Sequence, residues 1–341
     1  MNSNKLATIQ QISSVEIHPN ADSLEIAKVK GYQAIVKKGQ WKAGDSCIFI
    51  APDAVLPDAP WTSMYKSKSS RVRAIKLRNV WSEGIIESFS TVGYNGAIEN
   101  GLDITEAIGV YKYDPPVPQD MSAKGALPYS ICKTDEERFN SIDDLPFGEL
   151  VDVTLKIDGQ SASYYWLIDD NGDEKYGSLG RTLEYKSDSF NNYTQNQANY
   201  DIFNKLSYFC RQHNFPQGIC VRGESYGKNI QKSSHNPSSG GNLSWAMFSV
   251  WLIRQQSYAR KGHQFYFLDI ADELRLPTVP ILERNVPLTK ELIMKYAEGI
   301  ETLPLLSGGI NTLSGKPFEG VVIQHSKGSF KVINKHYDSK K

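Results

Sequence analysis

The sequence predicts an α+β protein in two parts, on three observations. Short β-branched and aromatic runs dominate the chain, helical patterning is occasional and confined to the C-terminal part, and a proline-rich stretch separates the two. Runs of strands with scattered helices argue against an alternating parallel sheet.

Ahead of the break, Leu6 to Val15, Ala27 to Val36, Cys47 to Ala51, Arg71 to Leu77 and Gly84 to Phe89 read as strands punctuated by Gly, Pro, Asn or Asp. About five strands in about 110 residues is the arithmetic of a small closed barrel, here an N-terminal five-stranded OB-like barrel. The break runs from Tyr113 to Pro128, where four prolines remove backbone donors and fix φ. It is taken as a linker at 113–128, between a domain at 1–112 and another at 129–341.

Beyond it, Thr134-Asp-Glu-Glu137 has the form of a capping box opening a short helix. Ile202, Phe203, Leu206, Phe209 and Cys210 share a helical face, and Thr289 caps a further helix containing Leu292, Ile293 and Tyr296. Val151 to Leu155, Ser161 to Ile168, Ile219 to Gly223, Met247 to Ile253, Gly320 to Gln324 and Ser329 to Ile333 read as strands.

Composition narrows the function classes. The 341 residues are 40% apolar and 22% charged, with no apolar stretch of membrane-spanning length. Met1 to Gln10 is too polar for a secretory leader, so a protein of the cytoplasm, without membrane contact, is expected. The 38 basic residues balance 38 acidic ones, so a polyanion must be held by local patches. Cys47, Cys132, Cys210 and Cys220 form no CxxC pair, and the histidines have no metal-ligand spacing; four scattered thiols suit a reducing interior. Cys210 and Cys220 read as small buried hydrophobes.

Chemistry begins at Lys156-Ile-Asp-Gly159, a lysine ending an apolar strand with a carboxylate and a Gly turn behind it. An amine is nucleophilic only when deprotonated, and burial or a neighbouring cation favours that form. Alone, the tetrapeptide equally fits a surface lysine beside a turn. Gly223-Glu-Ser-Tyr-Gly227 and Glu319-Gly-Val-Val322 each set a glutamate beside glycine at the end of a β-rich run. A buried carboxylate needs a partner, and a hard divalent cation is a natural one, although a strand-end glutamate is often simply solvated. Arg181 is a fork donor suited to phosphate or ribose. Phe248 either stacks on a purine or packs in a core strand, and Lys331 alternates with apolar neighbours so that one strand face presents a cation.

In order, this set resembles the covalent nucleotidyltransferase superfamily of polynucleotide ligases and capping enzymes. Lys156 to Gly159 is similar to its motif I, the segment around Arg181 to motif Ia, Gly223 to Gly227 to motif III, Phe248 to Trp251 to motif IIIa, Glu319 to Val322 to motif IV and the Lys331 strand to motif V. Only ten residues follow Lys331, too few for the C-terminal OB domain of DNA ligases and capping enzymes. The barrel lies in front instead, and Ile17 to Glu25 resembles the opening of RNA-binding OB modules. That arrangement resembles the RNA ligase 5 family, of the Deinococcus and Naegleria type, as does Thr134 to Asn140 ahead of motif I.

The resemblance implies a C-terminal nucleotidyltransferase domain of ATP-grasp-like antiparallel sheets with helices. It implies an ATP-dependent RNA ligase that joins 3′-OH and 5′-phosphate ends, in RNA repair or nick sealing, through lysyl-AMP and an adenylylated 5′ end. Lys156 maps onto the nucleophile; Leu155, Arg181, Glu224, Phe248, Glu319 and Lys331 onto the nucleotide site; and Asp158, Glu224 and Glu319 onto ligands of Mg²⁺ or Mn²⁺, which would lower the lysine's pKa. The family often has two motif V lysines separated by one residue. Here the first position is Ser329, and Lys327 is a substitute if the register differs. The expected partner is RNA, as a nicked duplex, bound by a monomer. A DNA ligase, a capping-type enzyme and an inactive RNA-binding protein are the alternatives.

Lys66, Lys68, Arg71, Arg73, Lys76 and Arg78 form an acid-free basic run. It reads as a solvated, aggregation-proof edge or as a backbone-phosphate track for RNA, carried by Arg71, Arg73, Lys76 and Arg78. Trp61, Tyr65 and Trp81 flank it, as stacking platforms or as core.

Overall fold

A computed structural model describes residues 5–66, 70–113, 121–228, 230–231, 238, 240–304 and 314–338. Two units emerge. The first contains the described residues up to Tyr113 together with Glu137–Leu145 and Asp338; the second contains Met121–Glu136 and the described residues from Pro146 to Tyr337. The expected boundaries therefore shift. Residues 114–120 of the expected linker lie outside the described residues, and Ala123–Ala126 is a strand of the second unit.

In the first unit, Ser46–Ile50 lies between Ala7–Gln11 and Ile85–Glu87, all antiparallel. Ser14–Ile17, Leu24–Val29 and Tyr32–Lys37 form a meander. The expected strand Ala27 to Val36 is thus a hairpin, broken at Lys30-Gly31, where Lys30 takes φ 54. Its alternation survives: Tyr32, Ala34 and Val36 are buried, packing with Ala27, Trp41 and Phe49. The expected strand Arg71 to Leu77 shortens to Ile75–Leu77, hairpinned with Val80–Ser82. Arg78 and Asn79 both have positive φ (46 and 66), as the two-residue turn between twisted strands demands. The five expected runs thus become more numerous, shorter strands around cores that include Ile9, Ile48, Ile50 and Val72.

The second unit holds two antiparallel sheets. The larger runs in the order Ala123–Ala126, Leu183–Tyr185, Glu174–Leu179, Gln160–Ile168, Ile219–Tyr226, Ser244–Leu252, Ser257–Tyr258. Helices Asn192–Tyr200, Ile202–Gln212 and Phe267–Leu274 cover one of its faces. Ile202, Leu206, Phe209 and Cys210 are buried there against Tyr164, Trp245 and Ile270, as the helical spacing predicts. Each large apolar side chain so buried contributes about 1.5–3 kcal/mol. In the other sheet, Gly320–Gln324 separates Leu150–Lys156 from Ser329–Ile333, and Ile281–Pro287 flanks Leu150–Lys156.

The helix expected from Thr134 does not form. Glu137–Arg138 is extended, Phe139–Ser141 is a single 3₁₀ turn, and the Thr134 hydroxyl bonds the Ser161 hydroxyl at 2.8 Å. The helix at Lys290–Met294 does form, its first turn capped by the Thr289 hydroxyl accepting from Leu292 N–H at 3.1 Å. All four cysteines are free. Burial pushes the Cys47 and Cys210 thiols up to about 12 and Cys220 to about 11, which disfavours the thiolate at these three. No helix among the described residues is long and apolar enough to cross a membrane.

Candidate active site

Lys156 ends the Leu150–Lys156 strand of the smaller sheet, and the Gln160–Ile168 strand of the larger sheet begins just past Gly159. The segment Lys156 to Gly159 therefore carries the chain from one sheet into the other. Glycine is required at 159 by space: a Cβ would stand 2.4 Å from Ser225 O and 2.9 Å from Glu224 Cγ. The first motif is thereby pressed against the strand bearing Glu224. On the other side, Lys156 pairs with Gly320, which has φ +149 and where a Cβ would meet Val332 O at 2.2 Å. Glu319 directly precedes that glycine, and its Oε2 accepts from Lys156 Nζ at 2.6 Å. That contact adds to the strand pairing a side-chain bond between residues 163 positions apart.

The electrostatics are lopsided. Burial alone would pull Lys156 down, but Glu319, Glu224 and Asp158 together hold its ammonium above the usual lysine range. Burial pushes the Glu224 carboxyl up to about 8; Lys156 and the Gly159 N–H pull against that, while Glu319 and Asp158 add to it. Asp158 is buried and accepts from the Tyr337 hydroxyl at 2.7 Å. These carboxylates thus favour the ammonium form of Lys156, the reverse of what a nucleophile needs. Among the described residues no group of three or more His, Cys, Asp or Glu side chains is arranged around a common metal position. The carboxylates converge on the ammonium instead. Their chemistry still suits a hard divalent ion: all donors are oxygen, and three carboxyl groups face one cation.

The remaining expected residues fall into three groups. Arg181 and Phe248 lie on the larger sheet. Arg181 sits in the turn after Glu174–Leu179, tightened by Gly180 N–H to Leu183 O at 2.8 Å. Phe248 is the extra residue of a β-bulge: Gly223 pairs with Met247, whereas Arg222 pairs with Ser249. Met247 and Val250 enter the helix-side core, and Phe248 stays half-buried. Lys331 shares its rung with Val322 and Thr154 and stands 3.6 Å from Asp135 Oδ1. Two expectations find no support in the geometry. The Leu155 side chain is buried, and its N–H is spent on Pro280 O at 2.8 Å. Lys327 is 83% exposed at the hairpin tip, with Glu149 at 3.9 Å.

Sequence reasoning missed Tyr337, the donor to Asp158, and Arg260, whose Nη1 donates to Ser329 Oγ at 2.5 Å. Tyr337 sits in a short helix whose first N–H groups are capped by Asn334: His336 and Tyr337 N–H reach Asn334 Oδ1 at 3.0 and 3.3 Å. Asn ahead of a polar tail is a turn signal that could have marked this anchor. Arg260 carries no comparable signal.

In the first unit, Arg71 donates to Asp53 at 2.5 Å, an acceptor shared with Arg138 at 2.7 Å, and lies over the Tyr113 ring. It is committed internally. Lys76 lies 5.2 Å from the Trp81 ring centroid, and Arg78 is in the hairpin turn. Trp61 and Tyr65 pack on the core. Lys68 and the Lys66 side chain lie outside the described residues.

A β-rich first unit is thus followed by two sheets with a strand-end lysine held among carboxyl groups. An OB-fold domain matches residues 6–89, and the RNA ligase family matches residues 149–336. The chain belongs to the RNA ligase family. No curated protein matches the sequence significantly. Among solved structures, a mutant of Naegleria gruberi RNA ligase with AMP and Mn superposes with TM-score 0.80 at 24% identity, covering 99% of each chain. A mutant with ATP and Mn gives 0.79 at 23% identity, covering 98% of each. The same ligase with PPi gives 0.78 at 24% identity, covering 98% of this chain and 97% of the other.

Proposed function

We propose that the protein is an ATP-dependent RNA ligase that seals a 3′-OH to a 5′-phosphate, with Lys156 as the nucleophile. The observation that carries this is Lys156 Nζ held 2.6 Å from Glu319 and among Glu224 and Asp158, in a chain of the RNA ligase family. Lys156, once deprotonated, attacks the α-phosphorus of ATP: an N–P bond forms, the α–β P–O bond breaks, and pyrophosphate leaves with the electron pair. The 5′-phosphate then takes AMP from the lysine, and the 3′-hydroxyl attacks that phosphate as AMP leaves. Asp158, Glu224 and Glu319 would hold Mg²⁺ or Mn²⁺, which supplies neutralisation of phosphate and carboxylate charge. Arg181 would meet ribose or phosphate, Phe248 the adenine, and Lys331 the α-phosphate. Solved relatives with ATP, AMP, PPi and Mn support this ligand set.

The barrel unit, with Arg73, Lys76 and Arg78, would track RNA backbone phosphates; the substrate we favour is a nicked duplex bound by a monomer, in RNA repair. Four free thiols support a reducing, cytoplasmic setting. The test is label transfer from α-labelled ATP with Mg²⁺ or Mn²⁺, followed by a denaturing gel. A labelled band absent in Lys156→Ala is expected. No band with either ATP or GTP, in protein free of pre-bound AMP, would overturn the proposal and leave an RNA-binding role; a band with GTP alone would point to capping-type chemistry.

A further inference from the structure

The sheet face that carries Lys156 can be followed through its register. Lys156 pairs with Gly320; Thr154 pairs with Val322, which pairs with Lys331; Asp152 pairs with Gln324, which pairs with Ser329. Paired residues of an antiparallel ladder point the same way and side chains alternate, so Lys156, Lys331 and Ser329 share one face. Along it, Lys331 is one alternate position, about 7 Å, from the rung of Lys156, and Ser329 is one further. A triphosphate reacting at Lys156 brings several negative charges onto a face already rich in carboxylate. At Ser329 that face offers only a hydroxyl, and Lys327 is too remote and exposed to help.

Arg260 comes to this position from the loop after Ser257–Tyr258. Its Nη1 donates to Ser329 Oγ at 2.5 Å, and its guanidinium lies 4.3 Å from the Tyr258 ring centroid. Stacking on one side and a hydrogen bond at the edge fix the plane of the fork. Ser329 Oγ in turn donates to Glu136 Oε2 at 2.8 Å, while Lys331 faces Asp135. Two cations therefore meet two carboxylates of the 135–136 segment. The Glu136 carboxyl is pushed up by burial against the pull of Ser329, Arg260 and Lys331. A phosphate with its oxygens aimed at both cations is a better acceptor than a carboxyl that resists ionisation.

We propose that Arg260 is a phosphate-binding residue of the first reaction step, holding the β- and γ-phosphates of ATP at the position where Ser329 has no charge to offer, while Lys331 serves the α-phosphate. This rests on the ligase reading above. The experiment measures the KM for ATP in lysyl-adenylate formation, and separately the sealing of RNA that already carries a 5′-adenylate. Arg260→Ala, Arg260→Gln and Arg260→Ala/Ser329→Lys are compared with wild type, with thermal melting of each. Loss of a charge-assisted hydrogen bond predicts a KM for ATP raised about tenfold or more in Arg260→Ala. Sealing of pre-adenylylated RNA, which releases no pyrophosphate, stays within about twofold. The lysine at 329 recovers most of the lost ATP affinity. Arg260→Gln keeps a hydrogen bond to Ser329 without the charge, so it reads the same loss should the alanine variant not fold. An unchanged KM, an equal loss in both assays, or failure of Ser329→Lys to rescue would each overturn the assignment and leave Arg260 as a clamp on the sheet. A wild type that forms no lysyl-adenylate would instead remove the ligase reading itself.

Discussion

Gly159→Ala tests whether the first motif and the Glu224 strand are held in register by contact. The new methyl carbon would stand 2.4 Å from Ser225 O and 2.9 Å from Glu224 Cγ, against about 3.4 Å for ordinary contact. Ser225 is backbone of a strand paired on both sides, to Gln160 and to Trp245, so it cannot retreat freely. Overpacking of this kind costs about 1–3 kcal/mol. At about 2–4 °C per kcal/mol for a domain of this size, the melting temperature should fall by roughly 2–12 °C. The larger effect is on chemistry. Relief of the clash moves Glu224 and Asp158 away from Lys156 by a large fraction of an ångström, and such misplacement costs about 100-fold in rate. The assay is single-turnover label transfer from ATP beside a thermal melt. Gly125→Ala is the matched control, since nothing lies within 4 Å of its would-be Cβ and its φ is not positive. Adenylylation by Gly159→Ala at the wild-type rate, with an unshifted melt, would refute the close-packing account of the motif.

Tyr337→Phe removes the donor to Asp158 Oδ2 while keeping the buried ring. It should raise the Mn²⁺ concentration for half-maximal adenylylation about tenfold with little change in melting temperature, read by metal titration. His325 is pulled below its ordinary value of 6.5, first by burial and then by Arg260 and Lys327, with Glu149 opposing. The unfolded chain then binds the proton more readily, so stability is lost as pH falls below about 6.5. His325→Gln should show a smaller drop in melting temperature between about pH 7 and 5 than wild type. Arg71→Ala should destabilise by about 1–3 kcal/mol through loss of the Asp53 contact, leaving the salt slope of RNA binding unchanged. Lys76→Ala and Arg78→Ala should each reduce that slope by about one, measured by filter binding across a salt titration.

What the sequence made legible is what stereochemistry forces into a residue type. Gly159 and Gly320 are glycines because a Cβ would enter a neighbouring backbone, and each stands beside the charged group it positions. The helical face of Ile202–Gln212 was readable because one amphipathic stripe meets one sheet. The misreadings arose where a local signal lost to tertiary context. Thr134 to Glu137 has a capping box, yet its hydroxyl is drawn to Ser161 across the unit. Arg71 to Leu77 has strand residues, yet the Arg78-Asn79 turn sets a hairpin that needs only Ile75–Leu77. The contacts of Arg260 and Tyr337 were missed for another reason: their partners lie 69 and 179 positions away. A lone arginine or tyrosine has no spacing that announces such a partner.

The cage around Lys156 also shows why the motif residues must be read together. A lysine beside one carboxylate is an ordinary ion pair, but Lys156 faces Glu319, Glu224 and Asp158 at once and is held protonated by them. Among these carboxylates the ammonium form of the lysine is favoured. Positive charge that draws off those carboxylates would release the ammonium from its cage and favour loss of its proton. A cation held by Asp158, Glu224 and Glu319 would then favour the free amine of Lys156 and offset phosphate charge beside it. On that logic Glu319→Gln weakens two things together, the hold on the resting lysine and the capacity to receive the cation. Its defect should be partly relieved at higher pH, where the less tightly held amine deprotonates, whereas Lys156→Ala should stay inactive at every pH.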